Sequence, residues 1–292
     1  MRNYSSLLIA CVLAGLLTGC GSLTTIGRDP QPYVNKSRLD KGLVIVLTGI
    51  EGRSTFNEAI CRGLAEGGVP YSIELEDWTA YPGAVPGAML LSQRAEDRNR
   101  RKAAEIADRI SRYEMNFPGR PVLLVGQSGG GAMAIWIMES LPMGERVDGA
   151  ILLAASLSPE YRLDRALYRS RRGIISFHSQ NDWLFLGLGT TVTGTMDGLH
   201  ESSAGRVGFR VPEKRPPSYA GLYQVVWNQQ MRSSGNWGVH LTSGASGFVS
   251  QYVAPLVKAD PWNQDLLSSL STGAAQAQAP APAPKQVVRE KF

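Results

Sequence analysis

Disulfide pairs, metal-ligand clusters, long apolar spans and single-sign charge blocks are all missing from this 292-residue chain. It has three cysteines, and Cys11 and Cys20 fall in an N-terminal segment. Cys61 therefore stands alone in the remainder, where no intrachain disulfide can form. Cys61 lies within a helical pattern, where a small buried thiol is expected. The three histidines, His178, His200 and His240, do not sit near cysteines at metal-ligand spacing, so no metal or other cofactor is expected. The apolar run Leu7 to Leu17 is shorter than the about 20 residues a bilayer-spanning helix needs. Net charge is +5, but the densest basic stretch, Arg94 to Arg112, carries Glu96, Asp97, Glu105 and Asp108 among its arginines. Such mixing argues against a nucleic-acid partner. The glycine run Gly126 to Gly131 lacks both the Gly-Lys-Ser/Thr ending of a phosphate loop and the Gly-x-Gly-x-x-Gly spacing of a dinucleotide site. No internal repeat is detectable.

What is present begins with an export signal. Arg2 gives a positive start, Leu7 to Leu17 an apolar run, and Leu17-Thr18-Gly19-Cys20 a small-residue exit. That exit resembles the lipobox of bacterial lipoproteins. The resemblance implies removal of residues 1–19, lipidation at Cys20 and stable membrane anchoring through acyl chains rather than a spanning helix. A bacterial envelope location, on the periplasmic or outer-surface side, would follow. Residues 20–40 are polar, with Gly, Pro and Asn, and are expected to form a tether. Residues 272–292 are Ala/Pro/Gln-rich with a charged end, a composition that cannot pack a core. One domain over 41–271 is left between them.

Strand and helix signals alternate through that domain. Leu43 to Leu47, Tyr71 to Leu75, Val122 to Val125, Gly149 to Ala155, Gly173 to Phe177 and Leu222 to Trp227 read as strands. Between and after them, Phe56 to Glu66, Gln93 to Met115, Ala132 to Ser140, Arg162 to Ser170 and Gly247 to Val257 read as helices. Continuous apolar strands such as Leu43 to Leu47 are those covered on both faces. The expected architecture is α/β: a mostly parallel central sheet with helices on both faces.

One stretch carries chemistry. Val122 to Val125 runs into Gly126-Gln127-Ser128-Gly129-Gly130 and then into an apolar helical segment. This has the form of a nucleophile elbow, a strand-to-helix turn that lifts a serine hydroxyl above a sheet. With 26 serines and 32 glycines in the chain, roughly 0.3 chance matches to Gly-x-Ser-x-Gly are expected, so context has to decide. A serine needs a base within hydrogen-bond reach and an acid to orient that base. His240 follows the complete strand set. His200, in a Gly/Ser-rich loop, is the alternative, and His178, at a strand end, reads as structural. Asp182 ends the polar turn Ser179-Gln180-Asn181-Asp182 after a strand, with Asp197 and Asp164 as alternatives.

Together the strand order and the elbow resemble the α/β-hydrolase superfamily over about residues 41–257. The resemblance implies the order Ser128, Asp182, His240 for nucleophile, acid and base. It also implies an oxyanion hole from the backbone N–H of Gly129 and a second donor in Thr48-Gly49-Ile50-Glu51-Gly52. Ile50 is the choice for that donor, with Glu51 as the alternative. Many relatives begin this loop with His-Gly, whereas Thr48-Gly49 stands here. The short link between Ala155 and Gly173 leaves no room for a large lid, while the Gly/Thr-rich stretch within Leu184 to Gly221 is either a site-shaping loop or a surface excursion. Trp78, Trp183 and Trp237 are either groove walls or core.

The expectation is a lipid-anchored serine hydrolase acting on a small-molecule or lipid-like acyl ester or thioester. An amidase or peptidase would use the same residues, and a binding or scaffold lipoprotein could keep the fold without catalysis.

Overall fold

The computed structural model describes residues 31–80, 88–182, 195–199 and 201–269. The expected signal segment, Cys20, Trp183, His200 and the tail 272–292 lie outside the described residues.

Six parallel strands form one sheet: β1 Leu43–Leu47, β2 Ser72–Glu76, β3 Val122–Gln127, β4 Gly149–Leu153, β5 Ile174–His178 and β6 Leu222–Val226. Their spatial order is β2-β1-β3-β4-β5-β6. The helices that cover the sheet are α1 Thr55–Glu66, α2 Glu96–Asn116, α3 Gly129–Ser140, α4 Asp164–Tyr168 and a closing helix α5. The last is built from consecutive segments Ser246–Phe248, Val249–Val253 and Ala254–Lys258.

Strand alternation sorts the side chains into two cores. Leu43, Ile45, Leu47, Leu124 and Leu152 point to the face covered by α2, α3 and α4. Val44, Val46, Leu123, Val125 and Ile151 point to the face covered by α1 and α5. Every residue of β1, β3, β4 and β5 is buried, which is why these strands read as apolar runs with no polar alternation. The edge strand β6 is only partly buried and keeps Tyr223 and Gln224 among its apolar residues.

Several boundaries differ from expectation, for physical reasons. The helix expected over 93–115 is two helices, Ala88–Arg94 and α2, because Ala95 between them is not helical. The buried Asn99 side chain donates to the Ser92 carbonyl across this break. Helix α3 starts at Gly129, not Ala132, so the glycines belong to its first turn. In α5, Pro255 has no N–H to give to a carbonyl four residues back, and the turn before it widens to the π form. The expected tether, 20–40, is in part docked: Gln31 exchanges two hydrogen bonds of 3.0 Å with the Leu75 backbone, and the Tyr33 carbonyl accepts from Ile73 N–H. These contacts cover the open edge of β2, which would otherwise present unpaired backbone groups.

Chain direction across the sheet reverses at β1, with β2 on one side and β3 on the other. A crevice outside the strand C-termini at such a switch point is where open α/β sheets bind ligands. The loops after β1 and β3 both begin there.

Candidate active site

Ser128 sits between β3 and α3 with φ 57° and ψ −120°, a left-handed conformation that a non-glycine residue adopts only under constraint. The flanking glycines supply that constraint. A Cβ on Gly126 would overlap the Gly130 carbonyl, and one on Gly130 would overlap the Leu47 carbonyl and come within 2.5 Å of the Thr48 oxygen. The start of α3 thus presses directly on β3 and on the end of β1. Ser128 N–H donates to the Leu153 carbonyl, and the Ser128 carbonyl accepts from Ser156 N–H, which tie the turn to β4.

His240 Nε2 lies 2.9 Å from Ser128 Oγ, and His240 Nδ1 lies 2.8 Å from Asp182 Oδ2. All three side chains are buried. Asp182 ends the turn after β5, where its N–H donates to the Ser179 carbonyl. Its other oxygen, Oδ1, has no partner among the described residues, so His240 is what offsets the burial of this carboxylate. His240 is held from behind. Its carbonyl accepts from Ser243 Oγ at 2.8 Å and from Gln127 Nε2 at 3.4 Å. The loop before it is fixed by Trp227 Nε1 donating to the Asn236 carbonyl and by Gly238 N–H donating to Asn236 Oδ1.

The loop after β1 packs against the start of α3. Gly129 is the first residue of α3, and the first N–H groups of a helix have no intrahelical acceptor. A Cβ on Gly129 would lie 2.8 Å from Ile50 Cγ2 and 3.0 Å from Trp78 Cζ2, so the Ile50 side chain packs at the elbow. The Glu51 carboxyl accepts from Ser54 Oγ at 3.3 Å and Asn57 Nδ2 at 3.2 Å at the start of α1. Burial raises its pKa above the ordinary 4.5, opposed by its own backbone N–H, by the charge of His240 and by hydrogen bonds from Ser54 and Asn57.

The described alternatives lie elsewhere. Asp197 accepts from Ser158 N–H, and Asp164 pairs with exposed Arg162, so neither bonds to His240. His178 closes β5 as a buried ring whose Nδ1 has no partner among the described residues, and burial lowers its pKa. Cys61 is buried in α1, and burial pushes its thiol up to about 12, as suits an inert core residue. Trp78 is not a groove wall: it is fully buried, and its Nε1 donates to the Thr48 carbonyl at 2.7 Å. Trp237 is half-exposed beside His240.

Sequence reasoning missed the parts that support this site. Trp78 and Gln127 brace it from a distant strand end and from the residue before the serine. The one local signal was Ser54-x-x-Asn57, a capping-box pattern: Asn57 Oδ1 accepts from Ser54 N–H and its Nδ2 donates to the Gly52 carbonyl.

No protein-family model matches this chain, and no curated protein matches it. Solved structures similar in shape include lipase B of Aspergillus fumigatus, with TM-score 0.48, 12% identity, 86% of this chain and 58% of that one covered. The chain therefore spans somewhat over half the length of that lipase. A CIB-like hydrolase of Thermoplasma acidophilum matches with TM-score 0.42, 16% identity, and 77% and 90% of the two chains covered. The esterase domain of a Rhodothermus marinus protein matches with TM-score 0.39, 16% identity, and 80% and 88% covered. These proteins lend this chain neither substrate nor mechanism. Its α/β-hydrolase fold is seen in the parallel sheet covered on both faces and in the strained serine turn that ends β3.

Proposed function

We propose that this chain is a serine hydrolase that cleaves a carboxylic ester or thioester through an acyl-Ser128 intermediate, anchored in the bacterial envelope through lipid on Cys20. The observation that carries the chemistry is the unbroken hydrogen-bonded relay from Ser128 Oγ through His240 to Asp182, at 2.9 and 2.8 Å. In the first step Ser128 Oγ attacks the acyl carbonyl carbon while His240 Nε2 takes the hydroxyl proton. Asp182 holds the Nδ1 proton in place and stabilises the imidazolium. Negative charge on the carbonyl oxygen meets the N–H groups of Gly129 and Ile50, donors of a kind whose loss costs about 3–4 kcal/mol. His240 then protonates the leaving alcohol or thiol. Water deacylates the serine by the same route in reverse. The anchor rests on Leu17-Thr18-Gly19-Cys20 and the apolar run before it.

Fluorophosphonate labelling of the purified protein tests the chemistry. Wild type should label, Ser128→Ala should not, and Asp182→Asn and His240→Ala should label at least about 10³-fold more slowly. Equal labelling of wild type and Ser128→Ala, or none of wild type, would leave a non-catalytic scaffold as the better reading.

A further inference from the structure

The chain enters its folded body at the same end as the triad. Gln31 bonds to Leu75 near the C-terminal end of β2, Tyr33 to Ile73 further back, and Arg38 to the Tyr71 and Val69 carbonyls beyond the strand's start. Residues 31–38 therefore run antiparallel to β2, away from the edge where Ser128 stands. Gln31 lies eleven positions after Cys20. Eleven residues of chain reach at most roughly 36–40 Å. A globule of this size is roughly 45 Å across. A lipid on Cys20 would thus keep the C-terminal edge of the sheet toward the bilayer.

That same edge carries exposed apolar side chains. Val226 ends β6 at 57% exposure, and Trp237 (53%) and Val239 (45%) stand in the loop that delivers His240. The Arg232 guanidinium lies 4.5 Å from the Trp237 ring centroid. A half-exposed tryptophan under an arginine suits a headgroup layer: the indole sits at the boundary and the cation meets anionic phosphate. We propose that this edge, with Val226, Trp237, Val239 and Arg232 at its β6 end, docks on an anionic phospholipid surface, and that the triad opens toward the membrane supplying its acyl substrate. The proposal rests on the Cys20 anchor and the hydrolase reading above.

The test uses the full chain reconstituted in vesicles of phosphatidylethanolamine and phosphatidylglycerol. An environment-sensitive fluorophore is placed at Val226→Cys, or at Met143→Cys in the loop before β4, at the opposite end; Cys61 is buried and Cys20 acylated. The expected result is a several-fold intensity rise at position 226, quenched by brominated acyl chains and halved or more by Arg232→Glu, with no rise at 143. Retention on vesicles through Cys20 without a rise at 226 overturns the docking and leaves the anchor standing. A rise at 226 in a Cys20→Ala chain supports the docking surface while showing that it does not need the anchor. A rise that grows with protein concentration in the absence of vesicles overturns the proposal in favour of a second copy on this face. Fluorophosphonate labelling of the same samples reads the hydrolase assignment separately.

Discussion

Trp78 touches both segments that carry the proposed oxyanion donors, and Trp78→Phe should separate a bracing role from simple packing. The indole N–H donates to the Thr48 carbonyl at 2.7 Å, and the ring edge lies 3.0 Å from where a Cβ on Gly129 would stand. Phenylalanine keeps most of the apolar volume but cannot donate. Thr48 is fully buried, so its carbonyl would lose its partner at a cost of about 1–3 kcal/mol. The missing ring atoms add about 1–2 kcal/mol, a fraction of the 3–5 kcal/mol typical of truncating such a residue to alanine. Together these lower stability by about 2–5 kcal/mol, or roughly 4–20 °C in Tm at about 2–4 °C per kcal/mol. Activity should fall more selectively. Freeing the Thr48 carbonyl lets the loop carrying the Ile50 N–H drift from its aim, and complete loss of such a donor costs about 10²–10³ in kcat. A partial displacement should cost about 10–10² in kcat with KM changed less than about twofold, because the bond is made mainly in the transition state. The assay is steady-state hydrolysis of a short acyl p-nitrophenyl ester, run well below the variant's Tm. A variant with lowered Tm but kcat within twofold of wild type would refute the bracing argument and leave Trp78 as core alone.

Two further outcomes follow from the same loops. Gly130→Ala places a methyl group against the Leu47 and Thr48 carbonyls, which are backbone atoms with little freedom to yield. It should destabilise by about 1–3 kcal/mol or more and slow fluorophosphonate labelling at least about tenfold; an unchanged Tm in calorimetry would contradict the close approach. Glu51→Gln tests a linkage: the folded chain holds the Glu51 proton above the ordinary 4.5, so this group's stabilising contribution is complete below about 4.5 and is lost as pH rises through the raised value. The neutral variant should therefore gain Tm on wild type as pH goes from 4 to 8, and a constant or shrinking difference would count against a buried, proton-retaining carboxyl.

The strand set was legible because burial on both faces writes itself into sequence as Leu-Val-Ile-Val-Leu and Ile-Leu-Leu runs, which need no partner to be recognised. Ser128 and its glycines were legible for a related reason. A backbone that must pass within contact distance of another strand tolerates no side chain, and that demand is local. Asp182 and His240 could be ranked by their order after the strands, yet nothing in the sequence brings residues 58 and 112 positions apart to 2.8 and 2.9 Å. Parallel pairing does this, by placing every strand's C-terminal end on one edge.

The chain alone determined which groups are available: one serine in a Gly-x-Ser-x-Gly turn, three histidines, and strands apolar enough to be buried on both faces. Only the tertiary structure decided which histidine meets the serine among those described, that the Glu51 carboxyl bonds to Ser54 and Asn57, and that Trp78 packs against the elbow. It also decided that residues 31–38 lie along β2. These outcomes depend on contacts across the sheet and between loops, where pairing geometry and exclusion of water act at long sequence separation and leave no periodic mark on the chain.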